Sequence, residues 1–239
     1  MKYGISALSV IPMRQKPSHE SELVSELLYN DIYEIIDENE EWFKIRCCYD
    51  NYEGWIRKLQ HQSINNEKLS HFMSNNKYII NQPYSIYDGK IISFGSKVFE
   101  KTDDSILLRD TFDRALFIES ALKLNDVPYR WGGKSIMGID CSAFVQLCAK
   151  VAGFKLPRDA SQQVSFGTKV ESASEAEAGD IAFFENENKK ITHVGILLSG
   201  DTIIHASGKV RIDTLDSYGI YNEELKSHTH HINIIKRLS

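Results

Sequence analysis

The sequence predicts an α+β protein whose helices and main sheet lie in its second half, preceded by a small all-β barrel. Two observations carry this. Residues 1 to about 62 show short strand patterns broken by turns, which is small-barrel spacing. From residue 110 onward, two helical periodicities precede a run of strand patterns.

In the first half, strands are expected at Ile5–Val10, Glu22–Leu28, Ile32–Asp37, Trp42–Cys48 and Gly54–Ile56. Alternation in the fourth sends one of Cys47 and Cys48 inward and the other outward. Residues 63–108 are less regular. Asn65–Lys77 reads as a short polar helix, and Tyr78–Ile80, Ser85–Tyr87, Lys90–Phe94 and Lys97–Glu100 as strands. They fit a linker or a reduced second barrel-like unit. The remaining block, 109–239, opens with a helix over Asp110–Asn125, capped by Asp110, whose apolar face is Phe112, Ala115, Leu116, Ile118 and Leu122. A glycine-bearing loop, Tyr129-Arg130-Trp131-Gly132-Gly133, leads to a second helix. There Phe144, Val145, Leu147, Cys148 and Val151 recur at helical spacing and Gly153 is the stop. Asp180–Phe184, Ile191–Leu198 and Thr202–Ser207 follow as strands.

Chemistry concentrates at the start of that second helix. With Asp140 as N-cap, Cys141 takes the first helical position, where orphan N–H groups and the helix dipole favour a thiolate and could receive an oxyanion. A neighbouring imidazolium would stabilise the thiolate further. Two histidines stand in strand patterns downstream. A three-residue Ser199-Gly200-Asp201 turn pairs Leu198 with Thr202, sets His205 opposite Gly195 and brings His193 and His205 to one face. A two-residue turn would put them on opposite faces. In the first geometry His193 is the base for Cys141 and His205 orients it. Cys plus two His could also hold zinc, but no short C-x-x-C or H-x-x-x-H pair is present, so no metal is expected. Cys148 reads as core, and His228, His230 and His231 as solvated surface or strand edge.

Composition narrows the function. Of 239 residues, 42% are apolar and 26% charged, with a formal net charge of −5. That balance argues against nucleic acid or an anionic membrane as the main partner. No run reaches the roughly 18 apolar residues that a membrane span needs. Four cysteines without evident paired spacing fit a reducing interior. The first residues lack a signal-like apolar core, so a cytoplasmic location is expected, or a secreted or periplasmic one if a leader was removed.

Six ordered blocks then carry a resemblance: Tyr-Arg-Trp-Gly-Gly from Tyr129, Asp-Cys-Ser-Ala-Phe-Val from Asp140, Leu156–Gln162, Ala178–Phe184, His193–Ile196 and Ile204–Ala206. The segment Pro128–Ser207 resembles an NlpC/P60 cysteine peptidase domain. The resemblance implies a papain-like α+β fold and a triad of Cys141, His193 and His205. Residues 1–62 resemble a bacterial SH3 domain through Arg14, Pro17-Ser18, Leu23–Leu28, Trp42–Ile45 and Tyr52–Ile56. Together they are similar to γ-D-glutamyl-L-diamino acid endopeptidases, which cleave cell-wall stem peptides. By that likeness Tyr129 supplies a hydroxyl near the scissile carbonyl, and Asp140 and Ser142 line the pocket for the N-terminal residue. Arg158 would hold the α-carboxylate of D-glutamate, or else pair with Asp159 or Glu171. Glu22 and Tyr52 would read the substrate's free amine; otherwise Glu22 is a solvated loop charge and Tyr52 a turn aromatic.

The function expected is hydrolysis of murein-derived peptides with a free N-terminal L-Ala, in cell-wall peptide recycling and without a cofactor. The alternatives are a secreted hydrolase of intact wall with its SH3 domain as anchor, an amidase or acyltransferase on the same scaffold, and an inactive binding module. Oligomeric state is not readable.

Overall fold

The computed structural model describes residues 2–75 and 77–239; Met1 and Asn76, the latter within the expected Asn65–Lys77 helix, lie outside the described residues. The chain forms two compact units. Unit 1 comprises residues 1–109 and 131–138, and unit 2 comprises 110–130 and 139–239.

Unit 1 is built on a seven-stranded antiparallel sheet of β1 (Tyr3–Ile5), β2 (Val10–Arg14), β3 (Leu23–Leu28), β4 (Ile32–Glu38), β5 (Trp42–Cys47), β6 (Glu53–Arg57) and β7 (Gln62–Ile64). Its order, β3-β2-β6-β5-β4-β1-β7, gives an SH3-like barrel. Alternation along these strands turns Ile11, Met13, Leu27, Tyr33, Ile45, Cys47 and Ile56 into one buried core, each large aliphatic contributing about 1.5–3 kcal/mol. Cys48 faces out, as alternation requires. The expected Ile5–Val10 strand is corrected to two. The chain bends after Ile5, where Ser6 N–H donates to Asp31 O and Asn30 N–H to Ser6 O, and β2 continues through Pro12.

Beyond the barrel come α1 (Asn66–Asn75), β8 (Tyr78–Ile80), β9 (Tyr84–Tyr87), β10 (Lys90–Ser93), β11 (Lys97–Val98) and β12 (Ser105–Leu107). They form two small sheets, β10-β9 and β11-β8-β12. Ile80, Ile92 and Val98 share a core with Tyr29 of the barrel, so this region belongs to the same unit.

The return segment 131–138, with β13 (Lys134–Ser135) and the start of β14 (Gly138–Ile139), falls with unit 1 rather than with the 109–239 block. Gly132 explains how. Its φ is +71°, and a Cβ there would lie 2.0 Å from the Leu23 carbonyl oxygen; only glycine lets the loop lie against β3. Lys134 is buried, its N–H donating to Glu26 Oε2 at 2.8 Å and its ammonium 3.7 Å from Asp50 Oδ2.

Unit 2 opens with α2 (Arg114–Lys123), followed by α3 (Cys141–Val151), α4 (Ala160–Gln163), β15 (Thr168–Lys169), β16 (Ile181–Glu185), β17 (Ile191–Leu197), β18 (Thr202–Ser207), β19 (Lys209–Leu215), β20 (Gly219–Asn222) and β21 (Ser227–Arg237). The cap of α2 is Asp113, not Asp110, because its carboxylate accepts from Leu116 N–H at 3.0 Å. The buried face shifts accordingly to Leu116, Phe117, Ser120 and Ala121, with Leu122 exposed. The sheet runs β15-β21-β16-β17-β18-β19-β20, and β20 also pairs with β21, closing six strands on themselves. Ala182, Phe184, Leu197, Ile203, Leu215, Ile220 and Ile235 form one core cluster of this sheet, while α3, buried on every face, packs on β17 and β18. Asp180, fully buried, ties the unit's ends together through Arg114 at 3.1 Å and Arg237 at 2.8 Å. Among the described residues no helix is long and apolar enough to cross a membrane.

Candidate active site

The start of α3 is fixed by a buried network in unit 2. Asp140 caps the helix, accepting from Ala143 N–H at 2.8 Å, which sets Cys141 at the first helical residue. Asp140 is held in turn by the guanidinium of Arg158, with Nη2 and Nη1 donating at 2.6 and 2.9 Å. The same Nη1 donates to Ser142 Oγ at 2.9 Å. Arg158 is 1% exposed and its ion pair with Asp140 is buried, so it is not the surface pair the sequence allowed; Glu171 pairs with Lys169 instead. A planar fork on a carboxylate suits arginine and would not survive replacement by lysine.

Cys141 is 6% exposed. Burial, and then the Asp140 carboxylate, push its thiol up to about 12, against the opposing pull of the Val194 and Ser142 N–H groups and Arg158. Burial therefore outweighs the helix start, and the resting sulfur is a thiol. Activation must come from a base that takes the proton as the sulfur attacks.

Two buried histidines are the candidates for that base. Leu198 N–H bonds Thr202 O, which is the three-residue turn, and His205 pairs with Gly195. Gly195 is what makes room: a Cβ there would meet the His205 Cβ at 2.8 Å and Ile203 Cδ1 at 2.7 Å. His193 Nε2 and His205 Nδ1 are 2.8 Å apart, and His205 Nε2 lies 3.0 Å from Asp213 Oδ2. Asp213, on β19, escaped the sequence reading. Burial raises its pKa, but hydrogen bonds from His205 and Arg211 more than offset this and hold it below the usual carboxylate range. An ionised carboxylate only accepts, so His205 Nε2 carries a proton and donates it. With that proton on Nε2 and none on Nδ1, His205 Nδ1 accepts from His193 Nε2–H. That leaves His193 Nδ1 bare. One carboxylate thus sets the tautomers of two rings in series and leaves the first with a free lone pair on Nδ1; the next residue, Val194, brings its N–H to the Cys141 sulfur.

A third imidazole was also missed. His230 is not solvated edge: its ring stacks on His193 at 3.9 Å between centroids and 24° between planes. Burial first, then the neighbouring His205 ring, lowers its pKa to about 4. The alternation His228-Thr-His230-His-Ile232 was the available signal, since His230 shares a face with Ile232. Gly219 fixes the approach, because a Cβ there would lie 1.8 Å from the His230 carbonyl oxygen. Of the other two, His228 pairs with Asp216 at 2.8 Å and His231 is exposed. Burial, followed by His230 and His205, lowers the His193 pKa well below the ordinary value, so it rests neutral.

Tyr129 is half-buried, its N–H donating to Gly208 O at 2.9 Å. Burial, then the nearby Cys141 and Asp140, push its phenol up to about 12, so it keeps its proton as a donor. Unit 2 therefore brings together Cys141, His193, His205, Tyr129, Asp140, Ser142 and Arg158. Glu22 and Tyr52 belong to unit 1. Glu22 is exposed and accepts from the Trp131 indole N–H at 2.5 Å. Tyr52 packs against the barrel core, its N–H donating to Asp50 Oδ1 at 3.1 Å.

Residues 126–230 match the family model for the NlpC/P60 family, and residues 13–60 that for the bacterial dipeptidyl-peptidase Sh3 domain. The chain is 27% identical to dipeptidyl-peptidase 6 of Lysinibacillus sphaericus over 88% of its own length and 91% of that protein. It is 34% identical to γ-D-glutamyl-L-lysine dipeptidyl-peptidase of Bacillus subtilis, over 55% of its own length and 46% of the other's. Among solved structures, an NlpC/P60 family protein from Bacillus cereus superimposes with a TM-score of 0.83 at 16% identity, covering 98% of this chain and 99% of that one. An NlpC/P60 endopeptidase from Photobacterium damselae gives 0.70 at 13% identity over 97% and 70%. At such identities the likeness is one of fold.

Proposed function

We propose that this chain, which carries an NlpC/P60 domain behind a bacterial SH3 domain, is a cysteine peptidase that hydrolyses the γ-D-glutamyl–diamino acid bond of murein peptides with a free N-terminal L-Ala. The observation that supports it best is the ordered relay Asp213–His205–His193 behind a thiol at a helix start. In the reaction, the Cys141 sulfur attacks the γ-carbonyl carbon as its proton passes to His193 Nδ1. The imidazolium that forms keeps its Nε2–H on His205, which keeps its own on Asp213. N–H groups at the start of α3, with the Tyr129 hydroxyl, receive the oxyanion. Collapse breaks the C–N bond, and His193 returns the proton to the departing amine. Water, deprotonated by the same nitrogen, then hydrolyses the thioester.

In this reading Asp140 and Ser142 line the substrate pocket, and Arg158, buried behind them with Nη1 and Nη2 already donating to both, meets the D-glutamyl α-carboxylate only if substrate binding turns part of its fork toward the pocket. Glu22 and Tyr52 are the proposed readers of the free amine. The word dipeptidyl-peptidase in the names of both relatives and of the matched SH3 domain supports cleavage counted from a free N-terminus. Peptide recycling in the cytoplasm is the setting we propose, since a free-amine requirement suits released peptides rather than acylated stems. The test compares L-Ala-γ-D-Glu-diamino acid peptide with its N-acetylated form and with intact sacculi. Turnover of the free peptide alone is expected; equal turnover of the acetylated peptide would overturn the free-amine reading.

A further inference from the structure

The reaction proposed above uses both nitrogens of His193 and of His205, and leaves His230 without a chemical step. Yet one ring nitrogen from each of His193, His205 and His230 converges, all three within 4.8 Å of one another. Among the described residues this is the group of potential metal ligands that gathers in this way. Cys141 is not one of its members.

We propose that these three imidazoles form an inhibitory site for a zinc-class divalent ion, and that the ion switches the enzyme off by changing the tautomer of His193. The donor set is right for the class, since three imidazoles with one position left open is a recurrent zinc arrangement. Zinc–nitrogen bonds of about 2.0–2.1 Å in tetrahedral geometry place ligand nitrogens about 3.3 Å apart. The His193–His205 pair, now at 2.8 Å, needs to open by about 0.5 Å, and His230 to close in by about 1.5 Å at most. The larger shift falls to His230, which is only half-buried on β21 and can turn about its side-chain torsions.

An outer shell is already built. His205 donates its far nitrogen to Asp213 at 3.0 Å, and Arg211 holds that carboxylate at 2.8 and 3.0 Å. A carboxylate behind a ligating histidine is the usual way a metal-binding ring is oriented. The same hydrogen bond therefore serves two incompatible states. In the catalytic state a proton lies between His193 Nε2 and His205 Nδ1. With an ion bound between them, that proton moves, through solvent, to His193 Nδ1, the nitrogen that must be bare to take the thiol proton. The base is disabled while the thiol is untouched.

The binding half of this proposal is independent of the reaction assigned above; the inhibition half rests on it. The experiment uses the full chain with Cys141→Ala, so that the thiol cannot bind the probe ion. Zinc chloride is titrated calorimetrically, and cobalt chloride is followed by its visible absorption. One ion per chain is expected, with the tetrahedral cobalt bands. Adding His230→Phe, which keeps an aromatic face against His193, should raise the Kd by about 100-fold. Should that variant fail to fold, ¹⁵N spectra of the histidine rings in Cys141→Ala decide the matter: zinc must shift His193, His205 and His230 together. Absence of stoichiometric binding, unchanged affinity in the double variant, or shifts confined to other histidines would each overturn the site. Zinc that binds there without inhibiting the wild-type enzyme would overturn the switch. A chain that hydrolyses no murein peptide at all would refute the proposed reaction and leave the binding result standing.

Discussion

Asp213→Asn is the substitution that probes the relay most directly. It changes one oxygen to an amide two hydrogen bonds away from the base. Hydrogen bonds of 2.8 and 3.0 Å with one imidazole between them put about 8 Å between the His193 ring and the carboxylate. At an effective dielectric near 20, the charge on Asp213 stabilises an imidazolium there by about 2 kcal/mol, or about 30-fold in rate. The amide adds a second cost. Arg211 donates to both oxygens, Nε to Oδ2 at 2.8 Å and Nη2 to Oδ1 at 3.0 Å. Whichever way the asparagine turns, its NH₂ meets an N–H, a conflict of about 1–3 kcal/mol. If the NH₂ faces His205, both rings are driven to the wrong tautomer. We expect kcat to fall by about 100-fold or more with KM little changed, because Asp213 acts through other groups. Ring ¹⁵N shifts should show the Nε2–H tautomer of His193 in the wild type and its loss in the variant. A kcat within about threefold of wild type, with the His193 spectrum unaltered, would refute the relay.

Four further outcomes are expected. Cys141→Ala should abolish hydrolysis while retaining peptide binding by calorimetry; surviving activity would displace the nucleophile. Because His193 is kept neutral well below pH 6.5, the acid limb of kcat/KM should fall below that value, and a limb at 6.5 or above would contradict the buried stack. The Cys141 thiol, pushed up to about 12, should alkylate with iodoacetamide at pH 8 far more slowly than free cysteine. Asp180→Ala leaves Arg114 and Arg237, each 30% exposed, without their shared carboxylate, and should cost about 3 kcal/mol in urea unfolding at pH 7. Burial raises the Asp180 pKa, but Arg237, the Glu177 N–H and Arg114 hold it below its ordinary value. Its contribution is therefore full above about pH 3.9 and is lost as pH falls through the lower folded value. The wild type should accordingly lose more stability than the variant on acidification through that range.

Much of the site could be read in the chain because its cues are local. Asp140 before Cys141 is a capping pattern, and the turn Ser199–Asp201 limits the register to two choices, of which the structure takes the one that aligns His193 with His205. Asp213 had no such cue: it is one of 33 acidic residues, and only the β18–β19 pairing places it behind His205. His230 carried a legible alternation, but the lysines and polar residues around it pointed to solvent. In the barrel, Pro12 interrupted the pattern of β2 and hid a strand. At α2 both Asp110 and Asp113 can cap by type, and the choice falls to whichever reaches an orphan N–H. The placing of residues 131–138 depends on contacts with Leu23 and Glu26, more than a hundred positions earlier.

That placing bears on how the chain is made. Unit 1 is not finished when residue 109 leaves the ribosome; Glu26 waits for the backbone of Lys134, and the surface of β3 for Gly132. Its last piece is synthesised after α2, which belongs to the other unit. Neither unit can be released by one cut, and a fragment starting at residue 109 would carry a buried-type lysine with no carboxylate to receive it. Gene fusions or truncations that treat the halves as exchangeable beads should yield insoluble protein, whereas a co-expressed pair of fragments broken near residue 109 has a route to reassemble.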